Sequence, residues 1–163
     1  MREIHHVALS VQNLNDSRRF YGQALGLKET LNTVVSGSAV ERSLKLRPGT
    51  TGNVTYFQGP TQLGQIELIE WRPTAEHVTG PKRPGDPGVF LLSIEVNKEE
   101  LEAIWKRMDK MEIPVYSPPE EFVLENYGPI NAFIVEDPDG TLIELVTLPS
   151  KEQIKAFRKN RKR

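Results

Sequence analysis

Three side chains stand out for the chemistry they can do: His6 in IHHVALSV (4–11), Glu67 in GQIELIEW (64–71) and Glu144 in GTLIELVTL (140–148). Each glutamate sits between Ile and Leu inside a run that alternates as a strand does. A carboxylate so placed is costly to bury unless it is paired, protonated or bound to a metal. Two glutamates in matching surroundings are more telling than one. The blander readings are an exposed strand glutamate or a member of a structural ion pair, and spacing alone leaves them open.

The segments that carry these residues recur. IHHVALSV leads through an amphipathic helix to GQIELIEW, and VFLLSIEV (89–96) leads through a second one to GTLIELVTL. Overlaying the copies pairs His6 with Leu91, Val11 with Val96 and Glu67 with Glu144. A unit of this size is a supersecondary module that needs a neighbour to bury its apolar face.

The first strand covers residues 3–11 and stops at QNLN, where Asn13 can cap a helix with Asp16 three residues on. Leu14, Phe20, Tyr21, Ala24 and Leu25 approximate helical spacing, and Gly26 suits the C′ stop. Strands are expected near 27–34, 52–58 and 64–71, with a short helical excursion in 36–49. In the second copy, strand 88–96 precedes a helix over 98–111, whose stripe is Leu101, Ile104, Trp105, Met108 and Met111. Strands near 113–117, 130–137 and 141–148 follow, the last two joined by the turn Asp137-Pro138-Asp139-Gly140. The plan is α+β, two tandem βαβββ modules with helices on one sheet face. The expected boundaries are 1–72 for the first module, 73–87 for a Pro/Gly-rich linker, 88–149 for the second module and 150–163 for a basic tail.

Strand parity sorts the candidates by face. His6, Ala8 and Ser10 point away from the apolar set Val7, Leu9 and Val11, so His6 faces the uncovered side and His5 the helix side or an edge. The same sorting places Leu91, Ser93 and Glu95 on the uncovered side, as it does Trp71 at the end of the fourth strand. Trp71 can stack on a planar ligand or serve as core. Tyr127 and Asn131, leading into the seventh strand, are further candidates for a ligand-lining role, with a plain turn as the alternative for Tyr127.

Composition limits the classes available. With 163 residues, 37% hydrophobic and 26% charged, the chain is one ordinary domain or two small modules. It has no cysteine, hence no disulfide or thiolate metal site, and no run of about eighteen apolar residues. A cytoplasmic protein without a membrane partner is expected. Residues 151–163 hold seven Lys or Arg against one Glu, leaving 14 basic and 21 acidic side chains elsewhere. That tail has Phe157 as its one aromatic residue, so a nucleic-acid partner is not expected; Ile154 and Phe157 fit one face of a short docking helix.

HHVALSVQNLNDSRRFYGQALGL, IELIEW and DPDGTLIEL together resemble the vicinal oxygen chelate superfamily, which includes glyoxalase I, methylmalonyl-CoA epimerase, extradiol dioxygenases and bleomycin-resistance proteins. The resemblance runs to about residue 149. It implies two βαβββ modules forming a cupped mixed sheet around a divalent metal, with ligands from the first and last strands of each module. Carried onto this chain, the ligands are His6, Glu67 and Glu144, and the fourth position is Leu91, which coordinates nothing. Ser93 is a poor substitute, and His77 would have to fold in from the linker. A His-Glu-Glu set suits Mn²⁺, Mg²⁺, Fe²⁺ or Zn²⁺, or Co²⁺ or Ni²⁺ in the same geometry.

The resemblance then implies a metal-assisted lyase or isomerase acting on a small, rather hydrophobic carbonyl or enolisable substrate, with Glu144 or Glu67 as base. The alternative is a metal-free protein that binds small molecules as bleomycin-resistance proteins do, with His6, Glu67 and Glu144 as a hydrogen-bonded cluster. Leu91, Ser93, Trp71, Tyr127 and Asn131 are the candidate substrate contacts in either case. An extradiol dioxygenase needs two histidines and is disfavoured by Leu91. A homodimer is expected, because open sheet edges and apolar faces need cover.

Overall fold

In the computed structural model, residues 4–73, 80–125 and 127–160 are described. The chain divides into two compact units, Met1–Gly80 and Pro81–Arg163. Each is built around a four-stranded mixed sheet, which gives the α+β class and the repeat. No helix among the described residues is long and apolar enough to cross a membrane.

In the first unit β1 (His6–Ser10), β2 (Lys28–Ser36), β3 (Thr51–Gln58) and β4 (Gln65–Arg72) lie in the order β1-β4-β3-β2. The outer strand β1 runs parallel to β4 and the other pairs are antiparallel. A parallel neighbour requires a crossover, and α1 (Leu14–Arg18) with the π-helical turn Arg19–Ala24 begins it. The Asn13 side chain caps α1 by accepting from the backbone N–H groups of Asn15 and Asp16, at 3.0 and 3.3 Å. The wider turn, closed by Leu25 N–H donating to the Phe20 carbonyl, carries buried Phe20, Tyr21 and Ala24. Gly26, at φ 84°, ends it in the left-handed region that favours glycine. The tilted Tyr21–Phe57 ring contact ties this segment to the sheet, whose helix side also carries Ile66 and Leu68. The excursion in 36–49 contains α2 (Ser38–Leu44).

The second unit repeats the plan with β5 (Leu91–Glu95), β6 (Glu120–Leu124), β7 (Gly128–Glu136) and β8 (Leu142–Thr147) in the order β5-β8-β7-β6. Helix α3 (Lys98–Lys110) buries Leu101, Ile104 and Met108, while Trp105 and Met111 stay half-exposed at the margin of the stripe. Phe133, Val135, Ile143 and Leu145 are buried in the sheet, and each such apolar side chain contributes about 1.5–3 kcal/mol. Asp137 shapes the β7–β8 turn: its Oδ1 accepts from the Asp139 and Thr141 backbone N–H groups at 3.0 and 2.8 Å.

The sixth strand departs from expectation. Residues 113–117 make only an isolated bridge, Val115 to Val135, and the strand begins at Glu120. Prolines at 114, 118 and 119 lack the N–H that a ladder consumes. The run Glu120–Leu124 supplies those donors instead. In the tail, α4 (Lys151–Asn160) half-buries Ile154 and Phe157 while its lysines face solvent.

A reciprocal capping box starts α3: Asn97 accepts from Glu100 N–H at 2.8 Å, and Glu100 accepts from Asn97 N–H at 2.9 Å. Replacing Asn97 by Ala removes one half of it and is expected to cost about 1 kcal/mol. Urea denaturation should show this as a lower midpoint with an unchanged slope.

Candidate functional site

In the first unit the parallel register sets Ala8 beside Glu67, and the antiparallel register sets Tyr56 on Glu67's other flank. Side chains at these positions share the sheet face opposite the helix, with His6 two residues before Ala8. The structure brings His6 and Glu67 together: Nε2 lies 3.3 Å from Oε2. The Tyr56 hydroxyl donates to Oε1 of the same carboxylate at 2.5 Å. Glu67 is 7% exposed, so both oxygens are engaged where water has little access, which is how the cost of burial is met. The Tyr56 ring also stands edge-on to His6, centroids 5.8 Å apart.

Tyr56 escaped the sequence reading. Its signal was alternation in NVTYFQ, but facing Glu67 depends on the β3–β4 register, which single-strand patterns do not contain. His5 stands exposed beside the outer strand, an edge position. It precedes the strand, and its Nδ1 lies 2.9 Å from Nδ1 of His6 in a ring-to-ring hydrogen bond. One imidazole must donate and the other accept, leaving Nε2 of His6 directed to Glu67.

Trp71 lies on the same face. Its Nε1–H donates to Ser10 Oγ at 3.1 Å. Its ring sits over Gly52, where an added Cβ would fall 2.9 Å from Trp71 Cε3 and Cζ3. Glycine in this strand therefore makes room for an indole to lie flat against the sheet.

In the second unit Ser93 is the register partner of Glu144 and donates to its Oε2 at 2.5 Å. Ile134 flanks Glu144 on the other side. Leu91 is half-buried opposite Leu142. Tyr127 packs on the buried cluster Ile130, Ala132 and Val146. Asn131 goes elsewhere: it pairs with Thr147, one strand position off the parity of Glu144 and Val146, and so lies on the face of Phe133 and Leu145. Parity counted within β7 alone does not fix that face, because the strand's start is set by pairing. His77 lies outside the described residues.

A second polar cluster was not foreseen. Arg83 Nη1 lies 2.8 Å from Glu136 Oε1, and the Tyr116 hydroxyl donates to that same oxygen. Together, the Tyr116 hydrogen bond and then the Arg83 hydrogen bond hold the Glu136 carboxyl below its ordinary range. Tyr116 and Arg83 are raised in return, each chiefly by its hydrogen bond to Glu136. The cluster ties Arg83 to β7 and is exposed.

Part of the donor set suits a divalent ion. Two donor atoms bound at about 2.0–2.2 Å and subtending about 90–109° stand about 2.8–3.6 Å apart, and His6 Nε2 and Glu67 Oε2 meet that separation at 3.3 Å. Tyr56 on the back oxygen and His5 on the other ring nitrogen are the outer partners that orient such ligands. His6 and Glu67 thus fit as two ligands. Among the described residues, no group of three or more His, Asp or Glu side chains stands close enough to hold an ion.

Residues 3–145 match the family model of the Glyoxalase/Bleomycin resistance protein/Dioxygenase superfamily, and the chain belongs to that superfamily. Among particular relatives, it is 28% identical over 154 residues to the lactoylglutathione lyase-like protein terB of Aspergillus terreus, covering 90% of this chain and 75% of that protein. A glyoxalase family protein from Bacillus cereus superposes with a TM-score of 0.74 at 16% identity, over 92% of this chain and 96% of the other. A glyoxylase/bleomycin resistance protein/dioxygenase domain from Frankia gives 0.64 at 22% identity, over 93% and 95%. At these identities the solved structures speak to the fold.

Burial, followed by the hydrogen bond to Glu67 and its charge, pushes the Tyr56 phenol up to about 12. A raised folded-state value means stability that is fully present below the unfolded value near 10 and lost as pH climbs toward 12. Phenolate absorbance at 295 nm should therefore show a late component that Tyr56→Phe removes. The same variant should lose less stability than wild type between about pH 10 and 12.

Proposed function

We propose that this protein is a glyoxalase-type lyase or isomerase acting on a small, rather apolar carbonyl compound with an acidic α-hydrogen. The observation that carries the reading is the His6–Glu67 pair, spaced as two ligands of one ion and oriented from behind by Tyr56. His6 and Glu67 would hold a divalent metal, which when bound polarises a carbonyl and steadies the charge that develops on its oxygen.

The two glutamates are then suited to different tasks. Glu67 has both oxygens engaged and is nearly enclosed, so it anchors. Glu144 is half-exposed, and Ser93 occupies Oε2 alone. A carboxylate with an open oxygen can accept the α-proton and return it to the neighbouring carbon. Ser93 steadies Glu144 through the transfer by its hydrogen bond, and Leu91 adds an apolar surface on the same strand face. The protein would work as a homodimer, a reading supported by exposed apolar side chains on edge strands, Leu31 and Val34 on β2 and Phe122 and Val123 on β6.

One observation favours a second reading, a metal-free binding protein for planar molecules: Trp71 is fixed flat over Gly52 with its N–H already used. A preformed aromatic surface loses little freedom on binding a planar ligand.

Elemental analysis of protein purified without added metal, then reloaded with Mn²⁺, Mg²⁺, Fe²⁺, Zn²⁺, Co²⁺ or Ni²⁺, is expected to find about one ion per chain that Glu67→Gln loses. Exchange of α-hydrogens in D₂O, followed by NMR over a panel of apolar α-hydroxy and 1,2-dicarbonyl compounds, should fall about 100-fold in Glu144→Gln. A reloaded wild type that holds no metal and exchanges no hydrogen would leave the binding protein as the better reading.

A further inference from the structure

The second unit contains an open groove of about 460 Å³ beside Glu144, within the size range of small-molecule sites. Its walls include Leu124, Tyr127, Ile130, Val146 and Leu148, and its polar side chains include Ser93, Glu95 and Glu144. No Lys, Arg or His lines it among the described residues. From Glu144 to Leu148 the chain rises about 13 Å, with Glu95 beside Val146 midway along it, so the groove offers an apolar track that bears carboxylates over its first half. Ser93 occupies Glu144 Oε2, and among the described residues Oε1 and the Glu95 carboxylate have no hydrogen-bond partner.

We propose that this groove selects the substrate: an apolar body of about 10–13 Å carrying a hydrogen-bond donor head, hydroxyl or ammonium, and no anionic group. The inference rests on the reading of Glu144 as substrate-facing. Carboxylates left as acceptors need a donor, and a hydrocarbon gains free energy by leaving water for the apolar walls, whereas an anion would lose its hydration there with nothing to replace it. An anionic ligand would meet Glu95 and Glu144 with no cation lining the groove to offset them. A glutathione conjugate carries carboxylates of its own, so the ligand named for the Aspergillus terreus relative is the kind this groove turns away.

Isothermal titration calorimetry with one eight-carbon body and three heads tests this: octylamine, 1-octanol and octanoate, with S-hexylglutathione as a fourth probe. Octylamine and octanol are expected to bind at least tenfold more tightly than octanoate, and S-hexylglutathione not at all. Leu124→Ala should weaken both ligands. Glu95→Lys, at an exposed position, should raise octanoate affinity and lower that of octylamine. Octanoate or S-hexylglutathione binding as tightly as octanol overturns the proposal. So does binding by none of the four, or affinities that neither variant changes. Because the readout is binding, it stands apart from turnover: selective binding with no hydrogen exchange sinks the enzyme reading alone, and exchange with no head-group preference sinks this one alone.

Discussion

The buried carboxylate of Glu67 is the constraint around which the first unit is arranged. A glutamate at 7% exposure in the middle of a sheet must be supplied with donors from its own face. Those donors come from both neighbouring strands: His6 from the parallel side and Tyr56 from the antiparallel side. Parallel pairing of β1 with β4 needs a crossover, and the helix with its π turn starts it while covering the opposite face. Sheet order, crossover and carboxylate therefore depend on one another. A strand slip of one residue would turn Glu67 into the helix-covered core and strip it of both partners.

Register also explains what the sequence could and could not disclose. The sheet-face positions of His6, Glu67, Glu144 and Trp71 were legible because parity within a strand and correspondence between the two copies are both local patterns. Tyr56 was not, because it becomes Glu67's neighbour only through the β3–β4 alignment. Asn131 was misplaced for the same reason, its face being fixed by pairing with Thr147. The sixth strand moved because Pro114 removes a donor within the expected segment and Pro118 and Pro119 remove two more just after it, so the ladder forms on Glu120–Leu124 instead. Gly52 and Ser10 each looked unremarkable alone; they matter together because one makes room for Trp71 and the other receives its N–H.

Comparison of equivalent positions shows how far the copies have diverged under one architecture. Ser93 stands beside Glu144 where Ala8 stands beside Glu67, and Ile134 replaces Tyr56 on the other flank. Leu91 stands for His6, and Leu148 occupies the position of Trp71. The donors that hold Glu67 from two sides thus shrink to one hydroxyl at Glu144. A carboxylate hydrogen-bonded on both oxygens is a weaker base than one held on a single oxygen, because each accepted bond stabilises its charged form. One held on a single oxygen also has an open side on which to receive a proton.

The replacements are not a uniform loss. Each donor or aromatic side chain removed from the second copy is exchanged for Leu or Ile, and the carbon so gained lies on the face that bears Glu144. Polar partners thus surround Glu67 in the first unit, while beside Glu144 the second offers apolar side chains interspersed with Ser93 and Glu95. Hydrogen-bonded donors discriminate sharply by geometry, whereas apolar walls discriminate by size and by the cost of dehydration. The two copies thus hold the same carboxylate position in different surroundings: donors from both flanks at Glu67, one hydroxyl and an apolar flank at Glu144. Leu91 marks the divergence most clearly, because it puts carbon where the first copy has an imidazole.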